Sequence, residues 1–240
     1  MSQPLGLDLG MQHASGSQHM AWDAAMLAQV VQGIWPDPVL RFYTWSSPTL
    51  SLGRHQAPES LPLAPDLPWV QRPTGGRAVL HGAGLDLTYA LVWRPGSGSR
   101  RQVYAHLSRF LQTGLAPWLS LRLGAEDPYA RQANCFASHT HADLVAEGFK
   151  VVGSAQLWQH GVVLQHGTIL VDPDLEQWGQ VLPGSQVRGL YELSGSRPTL
   201  TVLCDHLRQA AAELLGCQWR AEEQLMVPSL ALASEALSDH

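Results

Sequence analysis

RPTGGRAVLH, residues 72–81, contains two adjacent glycines followed by a short apolar run. Glycine adopts positive φ without a steric penalty, so Gly75 and Gly76 favour a sharp turn whose backbone a ligand can approach closely. Arg72 and Arg77 flank the turn, and their guanidinium groups suit an anionic partner. The segment fits neither the phosphate loop G-x-x-x-x-G-K-[ST] nor the dinucleotide loop G-x-G-x-x-G. An ordinary glycine hairpin is the alternative interpretation of the same residues.

Outward from this turn, short strand patterns are interrupted by a few helical ones. Many strands with few helices favour an α+β fold, with a mixed, largely antiparallel sheet and flanking helices, over a doubly wound α/β fold. Residues 39–43 and 49–53 predict an early hairpin that turns at Ser46-Ser47-Pro48. Three helices are predicted, over residues 19–31 with Ser17 as N-cap, over 103–114, and over 200–215 with Gly216 at the end. Further strands are predicted over 69–72, 85–93 and 161–171. A second hairpin is predicted over 142–152.

Composition limits the classes of protein that this chain can belong to. Of its 240 residues, 45% are hydrophobic and only 15% are charged, which indicates a globular protein and excludes a disordered one. A net charge of −5 argues against a general nucleic-acid binder, and no apolar run is long enough to span a membrane. The N-terminus does not resemble a signal peptide, and three cysteines do not suggest a disulfide framework, so we expect a cytoplasmic protein. We expect one catalytic domain over residues 1–220 and a helical or partly disordered tail over 221–240.

Three motifs occur in a characteristic order: RPTGGRAVLH at 72–81, EGFKVVGSAQ at 147–156 and LQHGTIL at 164–170. Together they resemble the superfamily of lipoate–protein ligases and octanoyltransferases. HMAWDAAML at 19–27 is similar to the first helix of that superfamily, and residues 38–56 are similar to its early hairpin. The resemblance implies a fold like the catalytic domain of biotin ligases, with an acyl-binding channel beside a mixed sheet. We expect Val79, Val151, Val163 and Leu164 to line this channel.

Three features bear on which branch of the superfamily the chain resembles. Cys135-Phe136 matches a pair found in cysteine-dependent octanoyltransferases of the Gram-positive type, in which a thiolate attacks a thioester. Arg77 stands where ATP-dependent ligases often have a third glycine. Ala142 stands where ligases commonly have the Asn of an Asn-Asp pair that serves nucleotide binding. These features favour the transferase. An ATP-dependent ligase, an amidotransferase between lipoyl domains, and a degenerate member that only binds lipoyl domains remain as alternatives.

Lys150 is the only lysine in the chain, because 15 cationic residues include 14 arginines. The resemblance implies that Lys150 is the active-site lysine of the superfamily and that Cys135 is the nucleophile. It implies an octanoyl-acyl carrier protein as donor and a lipoyl-domain protein, such as glycine-cleavage H protein, as acceptor, with no cofactor, metal, nucleic acid or membrane. The substrate-binding residues that it implies are Arg72, Thr74, Gly75, Gly76, Arg77, His81, Gly153, Ser154, Ala155, Gln156, His166 and Gly167.

Overall fold

A computed structural model describes residues 3–60, 66–124, 143–184 and 187–221. Cys135 and Ala142 lie outside the described residues, as does the predicted tail from residue 222 onward. The strands are β1 Leu5–Ala14, β2 Val39–Trp45, β3 Thr49–Leu52, β4 Trp69–Gln71, β5 Val79–His81, β6 Gly84–Trp93, β7 Arg122–Leu123, β8 Leu144–Ala146, β9 Phe149–Gln159, β10 Val162–Pro173 and β11 Gln218–Ala221. The helices are α1 Gly16–Val31, α2 Arg100–Leu115, α3 Leu175–Val181, α4 Leu190–Ser194 and α5 Leu200–Leu215, with a short 3₁₀ helix at Pro58–Ser60.

Eight strands form the main sheet in the order β11-β1-β2-β6-β10-β9-β8-β7. The two pairs that involve β1 are parallel, and every other neighbouring pair is antiparallel. The α+β prediction with a mixed, largely antiparallel sheet is therefore confirmed. The predicted hairpin between β8 and β9 is also present, and it turns at Glu147 and Gly148, which both have positive φ.

A second sheet of three strands, in the order β4-β3-β5, faces the site described below. The predicted hairpin between β2 and β3 is wrong, because these strands belong to different sheets. β2 already pairs with β1 on one side and with β6 on the other, so it has no free edge for β3. The glycine turn is not a hairpin either: β4 and β5 pair with opposite edges of β3, and residues 72–78 connect them.

Helices cover both faces of the main sheet because its buried strands carry apolar residues on both sides. On β2, Tyr43 and Trp45 pack against α1, whereas Leu40 and Phe42 pack in the core that contains α2 and α5. The helix boundaries differ slightly from the prediction. Capping boxes Ser15-x-x-Gln18 and Ser99-x-x-Gln102 begin α1 and α2, so the expected cap at Ser17 is wrong by two residues. Gly216, at φ 63°, ends α5 as predicted.

The crossing of α2 and α5 depends on a glycine. A Cβ added to Gly114 would lie 2.9 Å from both Cα and Cδ2 of Leu207. We predict that Gly114→Ala destabilises the protein by about 1–3 kcal/mol, because overpacking outweighs the higher helix propensity of alanine. The free energy of unfolding in urea measures this effect.

Gly179 in α3 is the matched control, because a Cβ added there meets nothing within 4 Å. Gly179→Ala should stabilise the protein by about 0.5–1 kcal/mol through helix propensity alone. Equal effects of the two substitutions would contradict the proposed close approach of α2 and α5.

Candidate active site

A cavity of about 420 Å³, including its open mouth, lies between the two sheets. Small residues of β9 and β10 form one side, and aromatic and apolar residues of α1 and β2 form another. The glycine turn, the second sheet and Thr88 of β6 supply the rest. The lining residues are Met20, Tyr43, Trp45, Ser51, Arg72, Gly76, Val79, His81, Thr88, Gly153, Ser154, Ala155, His166, Gly167 and Thr168.

The cavity brings together most of the predicted substrate-binding residues from all three motifs. Those that line it are Arg72, Gly76, His81, Gly153, Ser154, Ala155, His166 and Gly167. Thr74, Gly75, Arg77 and Gln156 lie nearby in sequence but do not line it. The Gln156 amide instead donates to Gln165 Oε1 at 2.8 Å.

The predicted channel is only partly right. Val79 lines the cavity, but Val151, Val163 and Leu164 are fully buried in the cores on the two faces of the main sheet. Neighbouring side chains of a strand point to opposite faces, and both faces of β10 are covered by helices, so its valines and leucines enter the cores. Tyr43 and Trp45 form the apolar wall instead, which the sequence analysis did not predict.

Arg72 holds the glycine turn in place from inside. Its Nη1 donates to the Ser51 carbonyl at 2.6 Å and to Ser51 Oγ at 2.7 Å. Its Nη2 donates to the carbonyls of Gly75 at 3.2 Å and Arg77 at 2.8 Å. Gly53 packs so closely beneath the turn that a Cβ there would lie 1.9 Å from the Gly76 carbonyl oxygen. The turn is therefore a fixed wall of the cavity.

His81 is one of two buried histidines in the cavity. Its Nε2 lies 2.8 Å from Ser51 Oγ, its Nδ1 lies 3.2 Å from Asp86 Oδ2, and its ring stacks on Trp45 with centroids 4.0 Å apart. Burial lowers the pKa of His81 more strongly than Asp86 raises it. His81 is therefore neutral at pH 7, with Nδ1–H directed to Asp86 and Nε2 accepting from the Ser51 hydroxyl.

His166 joins the glycine turn to a buried carboxylate. Its Nε2 lies 2.6 Å from Thr74 Oγ1, and its Nδ1 lies 2.7 Å from Asp23 Oδ2. The same Asp23 oxygen accepts a hydrogen bond from the Tyr43 hydroxyl at 3.0 Å. Asp23 Oδ1 accepts from Arg41 Nε at 3.0 Å and from Arg41 Nη2 at 2.8 Å. We call Asp23, Arg41, Tyr43 and His166 the Asp23 cluster.

The Asp23 cluster keeps a charged carboxylate in the core. Burial by itself would raise the pKa of Asp23, but the Arg41 guanidinium and the hydrogen bond from His166 lower it to about 2. Burial and the neighbouring Asp23 charge raise the pKa of Tyr43 well above its ordinary value, so Tyr43 stays a neutral donor. The carboxylate thus accepts four hydrogen bonds and has no capacity left for a substrate.

Lys150 lies on β9, three residues before Gly153, and does not itself line the cavity. Its Nζ is 2.7 Å from Asp143 Oδ1, and the side chains of Lys150 and Asp143 are only 2% and 4% exposed. The β8–β9 hairpin explains this pairing, because Asp143 directly precedes β8 and Val145 pairs with Lys150.

The described cysteines are unsuited to nucleophilic chemistry. Burial raises the pKa of Cys204 to about 12 and that of Cys217 to about 11, so both are thiols at pH 7. Cys204 is 3% exposed and belongs to the core that contains α2 and α5. The predicted nucleophile, Cys135, lies outside the described residues.

The comparisons with known proteins identify the family. The chain belongs to the family described as the lipoyl protein ligase A/B catalytic domain, whose model matches residues 15–213. It is 36% identical to the octanoyltransferase LipM of Kyrpidia tusciae, over 85% of each chain. It is 38% identical to the octanoyltransferase LipM of Carboxydothermus hydrogenoformans, over 70% of this chain and 65% of that relative.

Solved structures share the fold at lower identity. The T. acidophilum protein Ta0514 with bound lipoic acid superimposes with a TM-score of 0.80 at 22% identity, covering 98% of this chain and 94% of that one. A lipoate-protein ligase A bound with ATP gives 0.77 at 22% identity, with the same coverage. Within the described part of the chain, no helix combines the length and the apolar character that a membrane span requires.

The Asp23 cluster leads to a stability prediction. Asp23→Asn removes the charge that compensates the fully buried Arg41, so we expect a loss of about 3–5 kcal/mol in the free energy of unfolding. Asp172→Asn is the matched control: its side chain and that of its partner Arg197 are 47% and 73% exposed. The control should change stability by less than about 0.5 kcal/mol. A similarly small effect of both substitutions would show that Arg41 does not depend on Asp23.

The same comparison has a defined pH dependence. The pKa of Asp23 is lowered from 3.8 to about 2, so its contribution is complete above the unfolded value and is lost as the pH falls through the folded value. The stability difference between the wild type and Asp23→Asn should therefore shrink between about pH 4 and pH 2. Urea unfolding across this range measures it, and a constant difference would contradict the lowered pKa.

Proposed function

We propose that this protein is an octanoyltransferase of protein lipoylation, which moves an octanoyl group from a carrier thioester to a lysine of a lipoyl domain. The observation that carries the proposal is the match over most of the chain to relatives named octanoyltransferase. The donor we propose is octanoyl-acyl carrier protein, and the acceptor is a lipoyl-domain protein such as glycine-cleavage H protein. We propose the cytoplasm as the location, because three cysteines in 240 residues do not suggest a disulfide framework.

The cavity supports an acyl substrate. Met20, Tyr43, Trp45 and Val79 offer an apolar surface, and the small residues of β9 and β10 leave room beside it. Burying each methylene of an octanoyl chain contributes about 0.8 kcal/mol. Burial lowers the pKa of His81, so its ring adds no charge to this surface at pH 7, which favours a hydrocarbon chain over a charged one.

In the proposed first step, the Cys135 thiolate attacks the thioester carbonyl of the donor. A C–S bond to Cys135 forms, the original C–S bond breaks, and the carrier thiolate leaves. The Lys150 ammonium donates a hydrogen bond to the carbonyl oxygen as it becomes an oxyanion. In the second step the neutral amine of the acceptor lysine attacks the Cys135 thioester, the C–N bond forms, the C–S bond breaks, and the proton of the amine is released to solvent.

Intact mass spectrometry tests this proposal. We predict that mixing the protein with octanoyl-acyl carrier protein, without ATP, adds one octanoyl group, and that Cys135→Ala abolishes the gain. Cys204→Ala is the control, because a buried thiol with a raised pKa is not expected to accept the group. If octanoylation of the acceptor instead requires ATP and free octanoate, and persists in Cys135→Ala, the protein is a ligase.

The same assay separates the two transferase alternatives. An octanoylated lipoyl domain replaces the acyl carrier protein as donor, and the acyl-enzyme is measured again. Acylation only by this second donor would identify an amidotransferase between lipoyl domains and would overturn the proposed donor.

Lys150→Arg separates charge from geometry. Arginine keeps a positive charge beside Asp143, so we expect a folded protein with a circular dichroism spectrum like that of the wild type. Its planar fork cannot replace a compact ammonium directed at one oxygen, so the transfer rate should fall by about 10²–10³-fold. Wild-type turnover of Lys150→Arg would exclude Lys150 from the chemistry.

A further inference from the structure

The proposed reaction creates a hazard for the protein itself. An enzyme that delivers octanoyl groups to lysine amines holds its own single lysine on the strand that also forms the wall of the acyl cavity. A neutral amine at Lys150 would be chemically equivalent to the amine of the acceptor. Attack by Lys150 would form a stable amide and end turnover at that molecule.

Lys150 takes part in a buried ion pair. Its side chain is only 2% exposed, and its Nζ lies 2.7 Å from Asp143 Oδ1, a distance at which an ammonium donates a charge-assisted hydrogen bond to a carboxylate. An ammonium has no lone pair with which to attack a thioester, whereas a neutral amine has one. The Asp143 side chain is itself only 4% exposed, so this contact is shielded from water.

The fold fixes Asp143 in this position from both sides. Its carbonyl accepts a hydrogen bond from the backbone N–H of Gly124 at 2.8 Å, next to β7. On the other side, β8 begins at the next residue and pairs with β9, with a register shift between Leu144 and Val145. Asp143 is thus held by backbone bonds that do not involve its carboxylate.

We propose that Asp143 is a positioning residue that keeps Lys150 protonated, so that Lys150 donates hydrogen bonds to the substrate and does not itself become an acyl acceptor. The inference rests on the proposed function and adds a role for a residue outside the predicted catalytic set. Since the other 14 cationic residues of the chain are arginines, Lys150 is the one side-chain amine that needs this protection.

Removal of the carboxylate should expose the side reaction. In Asp143→Asn the neutral Lys150 amine attacks an octanoyl thioester, on Cys135 or on the donor. The amide C–N bond forms, the C–S bond breaks, and the leaving thiolate takes up the proton that the amine loses. The product carries an octanoyl amide that hydroxylamine does not remove, whereas hydroxylamine cleaves a thioester.

The experiment compares wild type and Asp143→Asn after incubation with octanoyl-acyl carrier protein, without acceptor. Intact mass is measured before and after hydroxylamine, and peptide mapping locates the adduct. We expect the wild type to lose its octanoyl group to hydroxylamine. We expect Asp143→Asn to gain a resistant group on Lys150 at least about tenfold faster than the wild type, because the rate follows the fraction of neutral amine.

Two control variants complete the comparison. Asp143→Glu keeps the carboxylate and should suppress the resistant adduct. The double variant Asp143→Asn/Lys150→Arg should lack it, because the amine is gone. If the wild type forms a Cys135 thioester but Asp143→Asn gains no resistant adduct, the role of Asp143 is wrong and the octanoyltransferase proposal stands. If the wild type itself forms no thioester, the proposed function fails.

A measurement on the wild type keeps the inference testable even if Asp143→Asn does not fold. With ¹⁵N-labelled lysine, the chain contributes a single side-chain nitrogen signal, whose chemical shift distinguishes ammonium from amine. We expect the ammonium shift at neutral pH. The shift of a neutral amine would overturn the proposal.

Discussion

The buried carboxylate of Asp23 is the interaction on which the candidate site depends. It joins α1, which carries it, to Arg41 and Tyr43 of β2 and to His166 of β10. Through His166 it also reaches Thr74 in the glycine turn. Burying a charge costs free energy unless its partners compensate it fully. These elements therefore adopt the arrangement in which the Asp23 carboxylate makes all four of its hydrogen bonds. That arrangement opens the cavity between the two sheets.

A second clamp, from Arg72, completes the cavity. The Asp23 cluster fixes the helix and the main sheet, whereas Arg72 fixes the glycine turn to Ser51 of the second sheet. In both cases, hydrogen bonds within the protein occupy polar groups beside the cavity, and the surface that remains is largely apolar. Lys150 of β9 and Asp143, which directly precedes β8, form a further buried ion pair, with Nζ and Oδ1 2.7 Å apart.

Much of the fold could be predicted because it follows from local chemistry. The end of α5 at Gly216 and the turn at Glu147 and Gly148 are readable from residue type and spacing alone. The capping boxes at Ser15 and Ser99 were equally readable and would have placed the starts of α1 and α2 correctly. The β2–β3 hairpin failed for a different reason: strand pairing depends on which edges are already occupied, and local sequence does not contain that information.

The candidate site was likewise predictable only in part. Motif order indicated the family and the glycine turn, composition showed the single lysine, and eight of the predicted substrate-binding residues line the cavity. Only the tertiary structure decided that Arg72 serves the turn and that Tyr43 and Trp45 form the wall. In the sequence, the one indication that Asp23 is important was its position as a charged residue beside the apolar stripe of α1. Its role depends on Arg41 and His166, which lie 18 and 143 positions away in the sequence. Only folding brings these charges together, and a buried charge has a defined role only once its partners are in place.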